Sequence, residues 1–314
     1  MVEAAESISK PVAQSKKRAL LVDLLVRLVK EKPLGLVGGV IFFLLLFTGI
    51  FADLLAPYGM NEVNLVARLS PPSAQFWFGT DTVGRDILSR IIYGARVSMI
   101  VGVTAMLISV TVSVTIGTLC GFIGGKFDLV VQRFVDAWIC FPWLIILISV
   151  MSLLGPGMWQ MIIVLGVSGG IGGSRIIRSA VIGIKENMYV TSAVAVGATT
   201  PRILARHILP NILPPVIIVF SIGIGGVIMA EASLSFLGFG IPPPQPSWGG
   251  MLSGQGREYM LQAPWMAIWP GLALSIVVYG VNMLGDAVRD ILDPRLRGGI
   301  GRYGGVTATS KKRS

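Results

Sequence analysis

Few residues of this chain are of types that do covalent chemistry, and they are scattered. Ser168, in Gly166-Val167-Ser168-Gly169, could act as a nucleophile if a histidine came within hydrogen-bond reach to take its proton. His207 is the only histidine, and it stands between Arg206 and Pro210 in a charged stretch, apart from the apolar run that holds Ser168. One histidine also excludes a multi-histidine metal site. Cys120 and Cys140 lack metal-ligand spacing and read as two thiols buried in apolar stretches. Phosphate chemistry fares no better: Gly125-Lys126 is followed by Phe127, and Cys120 stands where the first glycine of a P-loop belongs. The chain is therefore not expected to hydrolyse ATP, nor to hold a cofactor or metal of its own. Glu231 is the carboxylate nearest to an apolar interior. It either hydrogen-bonds locally near the outer end of a membrane span or lines a translocation path.

The elements that carry these residues are membrane helices. Hydrophobic residues make up 53% of the 314, charged residues 13%, and the mean hydropathy is +0.76, which no ordinary soluble domain shows. A bilayer crossing needs about 20 apolar residues, and a charge at its centre costs roughly 2.5–3.5 kcal/mol. Charge-free runs cover 33–52, 97–125, 137–174, 208–230 and 259–285, and Gly155-Pro156-Gly157 divides the longest at a tight turn. An all-α integral membrane protein with six spans is predicted, near 34–56, 97–120, 137–154, 158–174, 212–232 and 265–288. With both termini inside, the inner segments hold 21 of the 26 Lys+Arg, and Arg68, Arg85, Arg90, Arg96 and Arg257 remain outside. The net charge of +10 thus records topology and anionic lipid. A nucleic-acid role is excluded by the lack of a basic stripe interleaved with aromatics.

The domain reading follows: a cytoplasmic segment 1–33, a membrane domain 34–297 and a basic tail 298–314. Residues 19–32 show helical apolar spacing with charges between, as in a helix lying on the inner membrane surface. Thirty-three residues precede the first span and no small-residue cleavage site follows it, so it does not read as a removed signal.

Between the fourth and fifth spans lies a loop built for docking, Tyr189 to Asn211. Gly197 suits the end of one short helix, and Thr200 followed by Pro201 suits the start of another, as N-cap and first helical residue. Ser192, Ala193, Ala195 and Ala198 crowd the bend and would admit another backbone closely. Outside, Thr80 and Asp81 can cap a short helix in which Asp86 and Arg90 stand four apart as a favourable pair. That segment reads as support for the outer mouth or as a contact for an external protein. Pro242–Pro246 with Trp248 suits a rigid outer loop with an interfacial aromatic anchor, and Asp293-Pro294-Arg295 is expected against the inner face.

This loop resembles the EAA coupling loop of ATP-binding cassette importer permeases. Thr191-Ser192-Ala193 occupies the acidic-Ala-Ala positions, Gly197 the glycine, and Leu209-Pro210 the closing pair. Thr191 replaces the acidic residue, and His207 stands where isoleucine is expected before Leu-Pro. The stretches 78–96, 121–142, 229–252 and 285–297 are similar to the dipeptide/oligopeptide/nickel branch, C-type subunit. The resemblance implies the type I permease (MetI-like) fold in a prokaryotic inner membrane. It also implies a homologous second permease subunit, two ATPase subunits that use ATP and seat this loop, and an external substrate-binding protein. The implied cargo is di- or oligopeptide, with nickel or a sugar oligomer as the alternative. Gly166–Gly169 also resembles the serine motif of rhomboid intramembrane proteases, a remote alternative. Against it, Ser168, Gly169, Gly170, Gly172 and Gly173 read as small residues permitting close helix contact.

Overall fold

The computed structural model describes residues 28–29 and 31–292. Most of 1–33, including residues 19–27 of the surface helix expected at 19–32, lies outside the described residues, as do Asp293-Pro294-Arg295 and the tail 298–314. Among the described residues there is no strand, only an isolated antiparallel bridge between Thr80 and Asp86.

Among the described residues five helices are long and apolar enough to cross a bilayer. They are α1 (Pro33–Ile50), α3 (Ile87–Ile123), α6 (Met158–Lys185), the rod Thr200–Phe236, and α12 (Trp265–Leu292). Between them lie α2 (Ala52–Leu55), α4 (Gly125–Cys140), α5 (Trp143–Leu154), α7 (Met188–Ala195), α10 (Trp248–Leu252) and α11 (Gln255–Glu258). The rod Thr200–Phe236 is built of α8 (Thr200–Ile203), a π turn (Leu204–Ile208) and α9 (Leu209–Phe236).

The third span expected at 137–154 is not one helix. α4 and α5 meet at Phe141-Pro142 with a bend of 92°, and only as a pair could they supply a sixth crossing. Pro142 explains the break, because its ring disfavours helical φ/ψ at the residue before it. α5 alone, with 12 residues, would reach about 18 Å at 1.5 Å per residue, short of the ~30 Å hydrocarbon core. The first span is also shorter than expected. α1 stops at Ile50, and α2 restarts after Phe51. α3 and α6, by contrast, run well past the expected ends, and their added turns pack on protein, with Ile87 and Ala95 of α3 and Ile177 and Val181 of α6 buried.

α3 lies along α6, α1 along α12, and α9 crosses between α12 and α3. Small residues set how closely they approach. A Cβ added at Gly117 on α3 would lie 2.6 Å from Ser174 O and 2.8 Å from Arg178 N, both backbone atoms of α6. From the other side, Gly166 and Gly170 of α6 would meet Ile108 at 2.7 Å and Val112 at 2.5 Å. Gly169 and Gly173 face Ser109 and Ser113 of α3, whereas Gly172 faces open space. This is the small-xxx-small contact expected around Ser168, for every glycine but Gly172. The main core joins Val101 and Ala105 of α3, Leu147 of α5, Ile162 and Leu165 of α6, Ile228 of α9 and Val281 of α12.

Just past the first span, Asp53 pairs with Arg96 at 2.8 Å. The Arg96 hydrogen bond holds its carboxyl below the usual carboxylate range. A lowered folded value means that the pair's contribution is present above the unfolded pKa and fades as pH falls through the folded one. Asp53 is exposed, and exposed pairs are screened. Asp53→Asn is therefore expected to leave the melting temperature near neutral pH within a degree or two of wild type, measured in detergent. It should also remove what acid sensitivity the pair confers.

Candidate functional site

Two packed isoleucines and a valine explain the geometry of the loop after α6. Val190 of α7 is 2% exposed, and Ile203 and Ile208 are 2% and 0%; they share one cluster with Ile177 and Val181 of α6 and Ile212 of α9. Ile203 and Ile208 are five residues apart. In a regular α-helix that step would turn them roughly 140° from each other at 3.6 residues per turn. The π turn over Leu204–Ile208 widens the helix and brings both onto the buried face.

The bend itself is a Schellman motif. Gly197 has φ +83°, its N–H donates to Val194 O at 2.9 Å, and the N–H of Ala198 donates to Ala193 O at 3.0 Å. Gly197 thus ends α7 as its residue type predicts. The next start is one residue earlier than expected. Thr199 has the extended N-cap conformation, its C=O accepts from Ile203 N at 3.0 Å, and Thr200 and Pro201 are the first two helical residues. Nor is there a second free-standing short helix, because α8 runs through the π turn into α9 as a single 37-residue rod. Leu209 and Pro210 lie at the joint, where Pro210 removes a helix N–H in the first turn of α9.

What the loop shows to solvent is apolar and small. Val196 is 89% exposed and Val194 57%, flanked by exposed Thr191, Ser192 and Gly197, with Ala193 half-buried. Thr191 Oγ1 donates to Met188 O at 2.9 Å, so the hydroxyl bonds within its own helix. His207 is half-buried with its ring 6.1 Å from that of Tyr189, and no hydrogen bond joins it to Ser168, which is buried in α6. The nucleophile–base pair that proteolysis requires is therefore not assembled. Val190, Ile203 and Ile208 were missed as anchors by the sequence reading. Their signal was a five-residue apolar step, which α periodicity disguises.

At the other end, the outer segment corrects two expectations. No short helix follows Thr80-Asp81. Asp81 caps a turn, Oδ1 accepting from Val83 N at 3.0 Å and Arg85 N at 2.9 Å, while Oδ2 pairs with Arg85 Nε at 2.6 Å. Asp86 is the N-cap of α3, accepting from Ser89 N and Oγ at 2.7 Å each. Its carboxylate does not pair with Arg90, whose Nε lies instead 3.9 Å from Asp81. N-capping wins because the helix start supplies an N–H at fixed distance without ordering a long side chain. Trp248 is likewise no interfacial anchor. It is 2% exposed, its Nε1 donates to Ile91 O at 3.1 Å, and it fits against Gly94. Glu231 is 0% exposed, accepting from Ser235 Oγ at 2.9 Å and Ser98 Oγ at 3.4 Å, so it ties α9 to α3. Among the described residues no group of three His, Cys, Asp or Glu could hold a metal ion.

Comparison with known proteins places this architecture. The family described as "Binding-protein-dependent transport system inner membrane component" matches residues 113–298, and "N-terminal TM domain of oligopeptide transport permease C" matches residues 23–72. The chain is 38% identical over 269 residues to a dipeptide transport system permease protein of Alkalihalophilus pseudofirmus, covering 86% of this chain and 88% of that protein. It is 36% identical over 293 residues to an oligopeptide transport system permease protein of Bacillus subtilis, covering 93% and 94%. A chain of the MetNI methionine ABC transporter, solved in inward-facing conformations, superposes with a TM-score of 0.50 at 17% identity. It covers 65% of this chain and 96% of that one, a likeness of fold alone.

Proposed function

The chain belongs to the family of binding-protein-dependent transport system inner membrane components, and on that premise we propose that it forms half of a translocation path for di- or oligopeptides. It is a multi-pass inner-membrane transport subunit and not an enzyme. In this proposal it pairs with a homologous second permease. Two ATPase subunits supply the energy of ATP, an external binding protein delivers the peptide, and both termini face the cytoplasm.

The observation that carries the reading is the continuity between the exposed loop and a span. α7 presents Val194, Val196, Thr191 and Ser192 outward, while Val190 seats on Ile177 and Val181. Beyond the Gly197 bend, Pro201 opens a rod that runs without a break through His207, Leu209 and Pro210 to Phe236. A push on α7 is delivered to α9 through packed side chains, and packed interfaces switch between discrete arrangements instead of deforming smoothly. To shift such a two-state population strongly, ATP closure must favour one packing by several kcal/mol, about 5.5 for a change from 1:99 to 99:1. The lost acidic residue at Thr191 matters little here, since an exposed ion pair contributes about 0–1 kcal/mol. Docking rests on shape and on the apolar knobs.

The test is reconstitution of this chain with its partner permease, ATPases and receptor in vesicles, comparing uptake of labelled dipeptide with labelled nickel. ATP-dependent dipeptide uptake is expected; nickel uptake without peptide uptake would overturn the cargo. In the same vesicles Ser168→Ala should keep uptake within about twofold of wild type, since its hydroxyl has no catalytic partner. A complete loss of function with normal insertion would reopen a chemical role for that serine.

A further inference from the structure

Beneath the outer loop lies a cavity of about 400 Å³ with an unbalanced set of charges in its wall. Asp81, Arg85 and Arg90 all line it. Asp81 is one carboxylate serving two guanidinium groups, at 2.6 Å from Arg85 and 3.9 Å from Arg90, and its other oxygen is taken by the backbone of its own turn. Arg90 is the side chain left short. It is 91% buried, it donates a hydrogen bond to Met60 O at 3.2 Å, and its ion pair with Asp81 is at the long limit. The other carboxylates nearby do not complete it: Asp86 is committed to Ser89, and Glu231, one hydrogen bond behind the lining Ser235, accepts from Ser235 and Ser98.

A desolvated guanidinium that lacks a full countercharge is costly, and its planar fork matches a carboxylate in two parallel hydrogen bonds. Ile87, Ile241, Pro242, Met251 and Met266 form an apolar part of the wall, and Gln245, Ser247 and Gln255 add neutral polar groups but no further charge. The volume falls within the roughly 300–1,000 Å³ of small-molecule sites, where apolar walls surround a few convergent polar groups. We propose that this outer cavity is a carboxylate subsite, in which Arg90, with Arg85 beside it, receives the terminal carboxylate of a short peptide while the apolar wall takes its last side chain. The terminal carboxylate is the handle shared by peptides of every sequence, so the subsite would be selective for a free C-terminus and indifferent to side-chain identity. This rests on the peptide reading above.

The experiment measures binding of labelled Ala-Phe and of Ala-Phe-amide to the complete membrane complex in lipid nanodiscs, without the external receptor. The acid is expected to bind at least tenfold more tightly than the amide. In Arg90→Gln that preference should disappear, and in Arg90→Lys it should be kept in part. If the glutamine variant does not assemble, the acid–amide comparison on wild type and the lysine variant decide. Equal binding of acid and amide overturns the subsite. So does an Arg90→Gln complex that keeps the preference but docks the external receptor at least tenfold more weakly, because the carboxylate then belongs to that protein. Absence of dipeptide binding in a complex that still takes up dipeptide with its receptor overturns the subsite and leaves the transport function standing. Absence of receptor-driven uptake overturns the transport function itself.

Discussion

Gly117→Leu is expected to remove the folded chain or to lower its melting temperature by at least about 6 °C, at roughly 2–4 °C per kcal/mol for a chain of this size. The added Cβ would stand 2.6 Å from Ser174 O and 2.8 Å from Arg178 N, and both are backbone atoms of α6. A side chain can rotate away from such a clash. A helix backbone cannot, so α3 and α6 must part along their contact. Ordinary overpacking costs about 1–3 kcal/mol, and this case lies at or above that range because nothing near Gly117 can yield alone. In a membrane the loss is not offset by other apolar burial, since lipid is as apolar as the partner helix and close packing is the main attraction. Gly172→Leu is the matched control. It sits on α6 with nothing within 4 Å of its added Cβ, and leucine favours the helix more than glycine does. Thermal melting of the purified variants in detergent gives the comparison. Equal melting temperatures for both would mean that α3 and α6 do not meet as described.

The second large effect concerns transport, not folding. Gly197→Val is expected to cut ATP-driven uptake at least tenfold while the variant still inserts and purifies with its partners. Gly197 holds φ +83°, a conformation that costs an L residue roughly 1–2 kcal/mol and a β-branched one more. The site is open, with nothing near the added side chain, so the penalty is conformational and the bend itself relieves it. Once the Schellman pair from Gly197 and Ala198 is lost, α7 no longer meets the rod at a defined angle. ATP hydrolysis by the partner subunits should then continue without matching uptake. Gly197→Asn distinguishes geometry from mere presence of a side chain, because asparagine visits the left-handed region readily and should keep most of the uptake. If valine transports as well as wild type, the bend carries no force.

Much of this architecture was legible beforehand, and the misses have local causes. Periodicity and charge placed the long helices because membrane insertion is decided residue by residue against the bilayer. Pro142 was in plain view, yet hydropathy averages over it, and so the 92° break in the third span was not anticipated. The N-cap of the rod lies at Thr199 and not at Thr200, a shift that no capping preference resolves when two threonines are adjacent. Trp248 read as a lipid-interface anchor, because an aromatic beside a proline run usually faces the headgroups. Only the gap at Gly94 and the carbonyl of Ile91, which accepts from its Nε1, draw it inward. Asp86 and Arg90 stood at the spacing of a helical pair. The competing N-cap was invisible until α3 was known to begin at Ile87.

The amino-acid order by itself determined that this chain has several helices apolar enough to cross a membrane, and that a glycine bend at Gly197 ends the short helix after the fourth expected span. Each of these depends on residue types and short-range spacing, which need no fold to be read. Which carboxylate Arg90 meets, which face of the rod is buried at Ile203 and Ile208, and which glycines admit a neighbouring helix were decided by tertiary structure alone. Such contacts join residues from nine to more than a hundred positions apart. A preference that is weak along the chain is overridden when burial leaves a charge or a close approach only one partner.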